Sequence, residues 1–265
     1  MSDYLDSLFS LSGKTALVAG GAGAIGRVLA RALAASGARV AVHDYDQGRL
    51  DDVKRLFEGD KLDLLTFKAD LTDAGACRTL VDQASQSLGG LDILVNSQGV
   101  NRRKRIDAVT PEDFDAILAV NLRSVYFLGQ AAHPHFKARG GGKIVNISSL
   151  SAKHAFNTIS VYAASKAGVS QLTKAQAREW VDDNIQVNAI EPGFVKTEFT
   201  RPLWDDGYRA EWFRRFIPAG RLANPDDLIG AVLLLASKAS AYITGQAITV
   251  DGGVLSGATW EEPER

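Results

Sequence analysis

Short apolar runs alternate with stretches of helical periodicity along almost the whole chain. Thr15–Ala19 (TALVA), Arg39–His43 (RVAVH), Leu64–Lys68 (LLTFK), Asp92–Val95 (DILV), Lys143–Ile147 (KIVNI), Ile185–Ile190 (IQVNAI) and Ala247–Val250 are rich in β-branched and aliphatic residues. They do not alternate strictly with polar residues, which suits strands buried on both faces. Between them, Ile25–Ser36, Ala76–Leu88, Ser160–Trp180 and Pro225–Ala236 carry apolar residues at helical spacing, with Gly37 and Gly89-Gly90 as stop signals. Thr110-Pro111-Glu112-Asp113 is a helix start: a threonine cap, proline in the first turn and acids facing the dipole. That helix is expected to run through Asn121 to about Ala132, with His133-Pro134-His135 capping its end. Helices between buried strands are the crossovers that parallel pairing requires. The pattern predicts an α/β, doubly wound parallel sheet of about seven strands with helices on both faces. No linker or repeat interrupts it, so residues 1–265 are expected to form one domain. The least regular stretch, about 192–222, is rich in aromatics and reads as a substrate loop or lid.

Composition narrows the function classes. Among 265 residues, thirty basic and thirty-one acidic side chains balance to a net charge of −1, unlike a surface built for nucleic acid or anionic membrane. One cysteine, Cys77, cannot form an internal disulfide, and the four histidines are too scattered for a structural zinc site; no metal is expected. No run reaches the roughly 18 apolar residues of a membrane helix, and the start has no signal-peptide pattern, so the expectation is a cytoplasmic protein.

The first strand ends in Ala19-Gly20-Gly21-Ala22-Gly23-Ala24-Ile25-Gly26 and a helix follows. Glycines between strand and helix let backbone approach a pyrophosphate, and the helix amides and dipole meet its charge. Asp44 closes the second strand, where a carboxylate accepts from adenosine ribose hydroxyls and repels a 2′-phosphate. Tyr45, not a basic residue, follows it, and the glycine loop carries no cation. These features predict a Rossmann-type site for NAD, held by Gly20, Gly23, Ala24, Ile25, Gly26 and Asp44. Asp70, followed by Leu71 after the third strand, either meets the adenine edge or caps the next turn.

Tyr162-Ala163-Ala164-Ser165-Lys166 places a phenol and an ammonium on one helical face. A neighbouring lysine and an oxidised nicotinamide both favour the phenolate, and lowering a pKa near 10 by ~2–3 units corresponds to roughly 3–4 kcal/mol. Such a tyrosine can exchange a proton with a substrate oxygen near neutral pH. Ser148-Ser149 closes the fifth strand at the carboxyl edge of the sheet. With Asn121, the glycine loop, Pro192-Gly193 and the closing Val250-Asp251-Gly252-Gly253, these residues resemble the short-chain dehydrogenase/reductases from Leu11 to Gly253. The resemblance implies a tetrad of Asn121, Ser149, Tyr162 and Lys166. Tyr162 would be the acid/base, Ser149 would hold the reacting oxygen, Lys166 would bind the nicotinamide ribose, and Asn121 would hold a relay water. It also implies cofactor contacts from Asn96, Gly99, Pro192, Gly193, Val195 and Thr197. The chain departs from the family pattern at Ala19, at Ala24 and at Ser97-Gln98.

Asn101-Arg102-Arg103-Lys104, Asn184-Ile185-Gln186-Val187-Asn188 and Ile217-Pro218-Ala219-Gly220-Arg221 are similar to the gluconate 5-dehydrogenase and 2-deoxygluconate 3-dehydrogenase branch. That implies a sugar or sugar acid, oxidised at a secondary hydroxyl. Arg102 and Arg103 follow the fourth strand, and a guanidinium suits a carboxylate or sulfonate. Lys153, His154 and Arg201 fall in loops expected to border the same substrate. Two other readings stay open. A 3-ketoacyl-thioester or small-ketone reductase would want NADPH and an apolar loop, for which Phe156, Phe194, Trp204, Trp212 and Phe213 are available. A non-catalytic NAD(H) sensor would want Tyr162 or Lys166 lost, and both are present. The family implies a homotetramer or dimer through the Tyr162 helix, with Trp260 either packing on a neighbour or lying in a frayed tail.

Overall fold

The computed structural model describes residues 2–205 and 207–257; Trp260 lies outside them. Seven parallel strands form one sheet: β1 (Thr15–Ala19), β2 (Arg39–Asp44), β3 (Leu64–Lys68), β4 (Ile93–Asn96), β5 (Gly142–Ile147), β6 (Ile185–Pro192) and β7 (Ala247–Val250). Their order is β3-β2-β1-β4-β5-β6-β7. The chain reverses direction of travel between β1 and β4, which opens a crevice at the carboxyl edge there. The helices are α1 (Ser2–Phe9), α2 (Ala24–Ala35), α3 (Gln47–Gly59), α4 (Ala74–Leu88), α5 (Pro111–Leu118), α6 (Ser124–Ala138), α7 (Ser160–Trp180), α8 (Arg201–Trp204), α9 (Gly207–Phe216) and α10 (Ile229–Ala236).

The absence of alternation in the strands has a simple cause. Ala16, Val18, Val40, Val42, Val95 and Val145 pack on one face with Leu29, Leu33 and Val232, whereas Leu17, Ala41, Leu94 and Ile144 pack on the other with Leu80, Leu128 and Phe136. Both faces are covered, so both parities must be apolar. Among the described residues no helix is long and apolar enough to cross a membrane.

Three expectations change. The helix expected from Thr110 to Ala132 is α5, one π-helical turn (Ala119–Arg123) and α6. His133-Pro134-His135 does not cap it. Pro134 sits inside α6, and the flanking rings are held by carboxylates, His133 by Asp183 and His135 by Asp82, each at 2.7 Å. His133 also stacks on Trp180 at 5.0 Å between ring centres. The stretch 192–222 contains α8 and α9 over its own apolar cluster of Phe213, Ile217 and Leu222, packed with Phe194, Trp204 and Phe216. Helix α3 adds an element between β2 and β3: Asp46 caps it through the Arg49 amide at 3.0 Å, and Leu50, Val53 and Phe57 form its buried stripe.

Candidate active site

The glycine turn is set by backbone contact. Gly20 has φ +67°, and a Cβ there would lie 2.6 Å from the Gln98 backbone. A Cβ on Gly26 would lie 2.2 Å from the Gly20 carbonyl oxygen. Gly23 differs: its Cβ would meet only the Gly20 oxygen, at 3.3 Å, so its missing side chain clears the cleft instead of tightening the turn. Helix α2 starts at Gly23 with no side-chain cap and no acid in its first turn, which leaves the first amides and the dipole for an anion. Ala24 is the first residue of α2, and Ile25 lines the cavity described below. Helical backbone accepts an alanine, so the departure at Ala24 does not distort the turn. These features fit the pyrophosphate of a dinucleotide.

His43, buried beside them, accepts from the Gly20 amide at 3.4 Å through Nδ1 and donates to the Ala69 carbonyl at 3.1 Å through Nε2. Burial holds its pKa below the ordinary value and keeps the ring neutral. The sequence reading assigned it no role. Asp44 is buried at the end of β2, where its Oδ1 accepts from the Asp46 amide at 3.2 Å. The exposed Tyr45 lies next to it, with the Arg49 guanidinium 5.7 Å from its ring centre. Asp70 adopts the turn-capping option: it accepts from the Thr72 amide and hydroxyl at 3.0 and 2.8 Å, and these bonds hold its pKa low. Leu71 is buried beside it.

Beyond β4, the Asn96 side chain turns inward and donates to Asn146 at 2.8 Å, so only its backbone is left toward the cleft. A Cβ on Gly99 would stand 3.5 Å from Lys166 Nζ and 3.7 Å from Asn121 Oδ1, so this glycine lets the loop close over the tetrad. Asn121 is wholly buried in the π-helical turn. It accepts from the Val100 amide at 2.8 Å and donates to the Val100 carbonyl at 2.9 Å and to Ser165 at 3.0 Å.

Tyr162 and Lys166 share a face of α7, with Nζ 5.9 Å from the phenol ring centre. Lys166 donates to the Ile147 carbonyl at 2.7 Å, and burial pushes its pKa down to about 8. Lys166 is not among the groups that shift the Tyr162 phenol in the folded chain, and the expected acidification has the oxidised nicotinamide as its second cause. Burial holds the phenol above its ordinary pKa, and the groups opposing that are the hydrogen-bonded Ser149 and the Arg103 guanidinium. The Lys166 ammonium is directed at the Ile147 carbonyl, with the phenol ring centre 5.9 Å away.

Ser149, Tyr162, Asn101 and Arg103 line one cavity of about 270 Å³. Gly193, Val195 and Thr197 border it from the loop that follows Pro192, the last residue of β6. A Cβ on Gly193 would lie 2.7 Å from Asp251 Cα, and Thr197 caps the next turn through the Thr200 amide at 3.2 Å. Phe156, Phe194, Trp212 and Phe213 form an aromatic wall, with Phe194 and Phe213 4.8 Å apart.

Of the cations expected around the substrate, only Arg103 lines this cavity. Arg102 donates to Asp113 at 3.1 Å, where Lys104 also pairs, so it secures the capping box of α5. Lys153 pairs with Glu191 at 2.6 Å; Arg201 pairs with Glu198 at 2.5 Å. His154 covers Phe156 at 4.7 Å between ring centres, behind the aromatic wall. Asn101, unnoticed in sequence as a lining residue, has a buried Oδ1 with no partner among the described residues.

Glu191 is fully buried and ties α7 to the sheet. It accepts from Ser170 at 2.9 Å and Thr249 at 3.2 Å, and Ser148 links Ser170 to the Lys166 carbonyl. Lys153→Met leaves this carboxylate without its counter-charge. The expected loss is about 2–3 kcal/mol, below a fully buried pair because Lys153 is half exposed and two hydroxyls remain. Urea unfolding with an unchanged m-value is the check.

Comparison with known proteins agrees with this geometry. Residues 20–255 match the family model described as enoyl-(acyl carrier protein) reductase. The chain belongs to the short-chain dehydrogenase/reductase family. It is 38% identical to gluconate 5-dehydrogenase of Gluconobacter oxydans, over 93% of this chain and 96% of that one. It is 40% identical to 2-dehydro-3-deoxy-D-gluconate 5-dehydrogenase of Bacillus subtilis, over 96% and 99%. The crystal structure of a gluconate 5-dehydrogenase from Burkholderia cenocepacia in complex with NADP and tartrate superposes with a TM-score of 0.91 at 37% identity, covering 96% of this chain and all of that one. As a member of this family the protein is an oxidoreductase acting on CH–OH donors with a nicotinamide cofactor.

Proposed function

We propose that the protein reversibly oxidises a secondary hydroxyl of a sugar acid or related anionic sugar to the ketone, with NAD as the cofactor. The observation that carries this reading is the shared cavity, in which the Tyr162 phenol and Ser149 hydroxyl face the same space as the Arg103 guanidinium. An acid/base pair beside one cation suits a molecule that bears both a reacting alcohol and an anion. The gluconate dehydrogenase relatives support the same substrate class.

In this reading the dinucleotide, when bound, supplies the hydride acceptor. Gly20, Gly23, Ala24, Ile25 and Gly26 receive its pyrophosphate, and Asp44 its adenosine ribose. Leu71 and the Asn96 backbone border the adenosine side beside the turn that Asp70 caps, Gly99 lies beside Lys166 at the nicotinamide ribose, and Pro192, Gly193, Val195 and Thr197 lie at the carboxamide. Ser149 holds the substrate oxygen and Tyr162 removes its proton. Lys166, anchored on the Ile147 carbonyl, holds the nicotinamide ribose. Asn121 clamps the Val100 loop against the tetrad. Arg103 takes the substrate anion, and the aromatic wall stacks on the sugar ring. Residues 192–222 serve as the substrate loop of a single-domain enzyme, and Phe114 and Tyr126, exposed on α5 and α6, support assembly as a homotetramer.

Asp44 supports NAD over NADP. The Arg49–Tyr45 pair favours the alternative, since a guanidinium there can meet a 2′-phosphate. Initial rates with a panel of sugar acids, matched uncharged polyols and both cofactors test the proposal. NAD and a sugar acid should give the highest kcat/KM, and Arg103→Gln should lower that value about tenfold or more through KM while sparing the polyols. Turnover of a neutral ketone or acyl thioester with NADPH, and of no sugar acid, would replace this reading with the ketoreductase one, which the aromatic wall favours.

A further inference from the structure

A second cavity, of about 540 Å³, lies at the opposite edge of the sheet, beneath the amino ends of β4 and β5 and against the chain leading into β1. None of its residues belongs to the catalytic cleft. Among the described residues its charged lining is Lys14, Arg139, Lys143, Lys238 and Asp92, so four cations face a single carboxylate.

That carboxylate is fully engaged. Asp92 pairs with Lys14 at 3.2 Å and Arg139 at 3.2 Å, and it accepts from the Thr15 amide and hydroxyl at 3.0 Å each. Among the described residues, Lys143 and Lys238 have no acidic partner. Lys143 reaches only the Ser240 hydroxyl, at 3.2 Å, in the turn that also carries Lys238. Burial and the nearby Lys14 push the Lys143 ammonium down to about 8. The Lys238 ammonium makes no hydrogen bond or ion pair among the described residues. Two unneutralised ammonium groups on one wall of a pocket are an electrostatic cost that a bound anion removes. Lysines, as strongly hydrated point charges, suit the three-oxygen head of a phosphate better than the planar edge of a carboxylate. The volume exceeds that of a free ion and lies within the range of small-molecule sites.

We propose that this cavity binds a phosphate-bearing small molecule, its phosphate held by Lys143 and Lys238 with the organic part lying toward Lys14 and α1. Calorimetric titration of glucose 6-phosphate and of inorganic phosphate into the full chain, at constant ionic strength against chloride, tests it with and without NADH. The expected result is saturable binding that NADH does not compete away. It should weaken about tenfold or more in Lys143→Gln and, separately, in the exposed-site variant Lys238→Gln, as for a lost charge-assisted hydrogen bond. Tighter binding of the ester assigns the site to phosphate esters, and equal binding assigns it to the free ion; either supports a phosphate site. No saturable heat beyond chloride, binding that both variants leave intact, or binding that NADH abolishes would overturn it. Steady-state activity in the same variants gives a separate readout of the catalytic cleft, so failure here leaves that proposal to stand or fall alone.

Discussion

Tyr162→Phe should lower kcat by about 10³-fold, within the range of a lost general acid–base, while NADH still binds. The ring stays, so the packing of α7 and the Lys166 bond to Ile147 stay with it; only the phenolic oxygen is lost. Fluorescence titration with NADH separates this outcome from unfolding. If dinucleotide binding disappears with turnover, the tyrosine has a structural role and the catalytic assignment is wrong. The pH dependence carries a sign. Alcohol oxidation needs the deprotonated phenol, and burial holds the Tyr162 pKa above its ordinary value. The oxidation rate should therefore climb with pH through the neutral and mildly alkaline range. Ketone reduction needs the protonated phenol and should hold its rate toward lower pH. Arg103 opposes the upward shift, so Arg103→Gln should move the alkaline limb of oxidation to higher pH.

Gly26→Ala is expected to have the largest effect on stability. The new methyl would stand 2.2 Å from the Gly20 carbonyl oxygen and 2.7 Å from Gly21 Cα, and backbone on both sides cannot swing aside as a side chain can. The turn must move, at a cost of about 3 kcal/mol or more. In a chain of this size the melting temperature should fall by roughly 6–12 °C, and dinucleotide affinity should fall with it. Gly23→Ala is the internal control. Its methyl meets one atom at 3.3 Å and its backbone angles suit any residue, so the melting temperature should barely change. Loss of NADH affinity in that variant would then report a close approach of the ligand to the start of α2. A Gly26→Ala protein as stable as wild type would mean that the turn is less tightly packed than described.

Much of this was legible in the chain because it depends on local periodicity. The buried runs of β1, β4 and β5 can only be two-faced strands, and Ser160–Trp180 was bounded at the same residues in sequence and structure. The i, i+4 relation of Tyr162 and Lys166 follows from helix geometry alone. The break in the helix after Leu118 was not legible, because the π-helical turn Ala119–Arg123 keeps helical backbone at both flanks and has no glycine or proline to mark it. Helices α8 and α9 were hidden for another reason: both are short, and their apolar residues pack on a satellite cluster instead of the sheet.

Charge was where the one-dimensional reading went furthest astray. Arg102, Arg103, Lys153 and Arg201 look alike in sequence, all cationic and all in loops at the catalytic edge. Their carboxylate partners decide between them: Asp113 and Glu191 are brought close only by folding, whereas Glu198 stands three residues before Arg201. The succession of strands and helices along the chain, the glycine turn and the phenol–ammonium pair were determined by the amino-acid sequence, since each rests on spacing along a single segment. Which cation faces the substrate, how far the phenol is shielded from water, and where unneutralised lysines gather beneath the sheet were decided by tertiary structure. Electrostatic energy depends on distance and burial in three dimensions, and neither is a property of a segment.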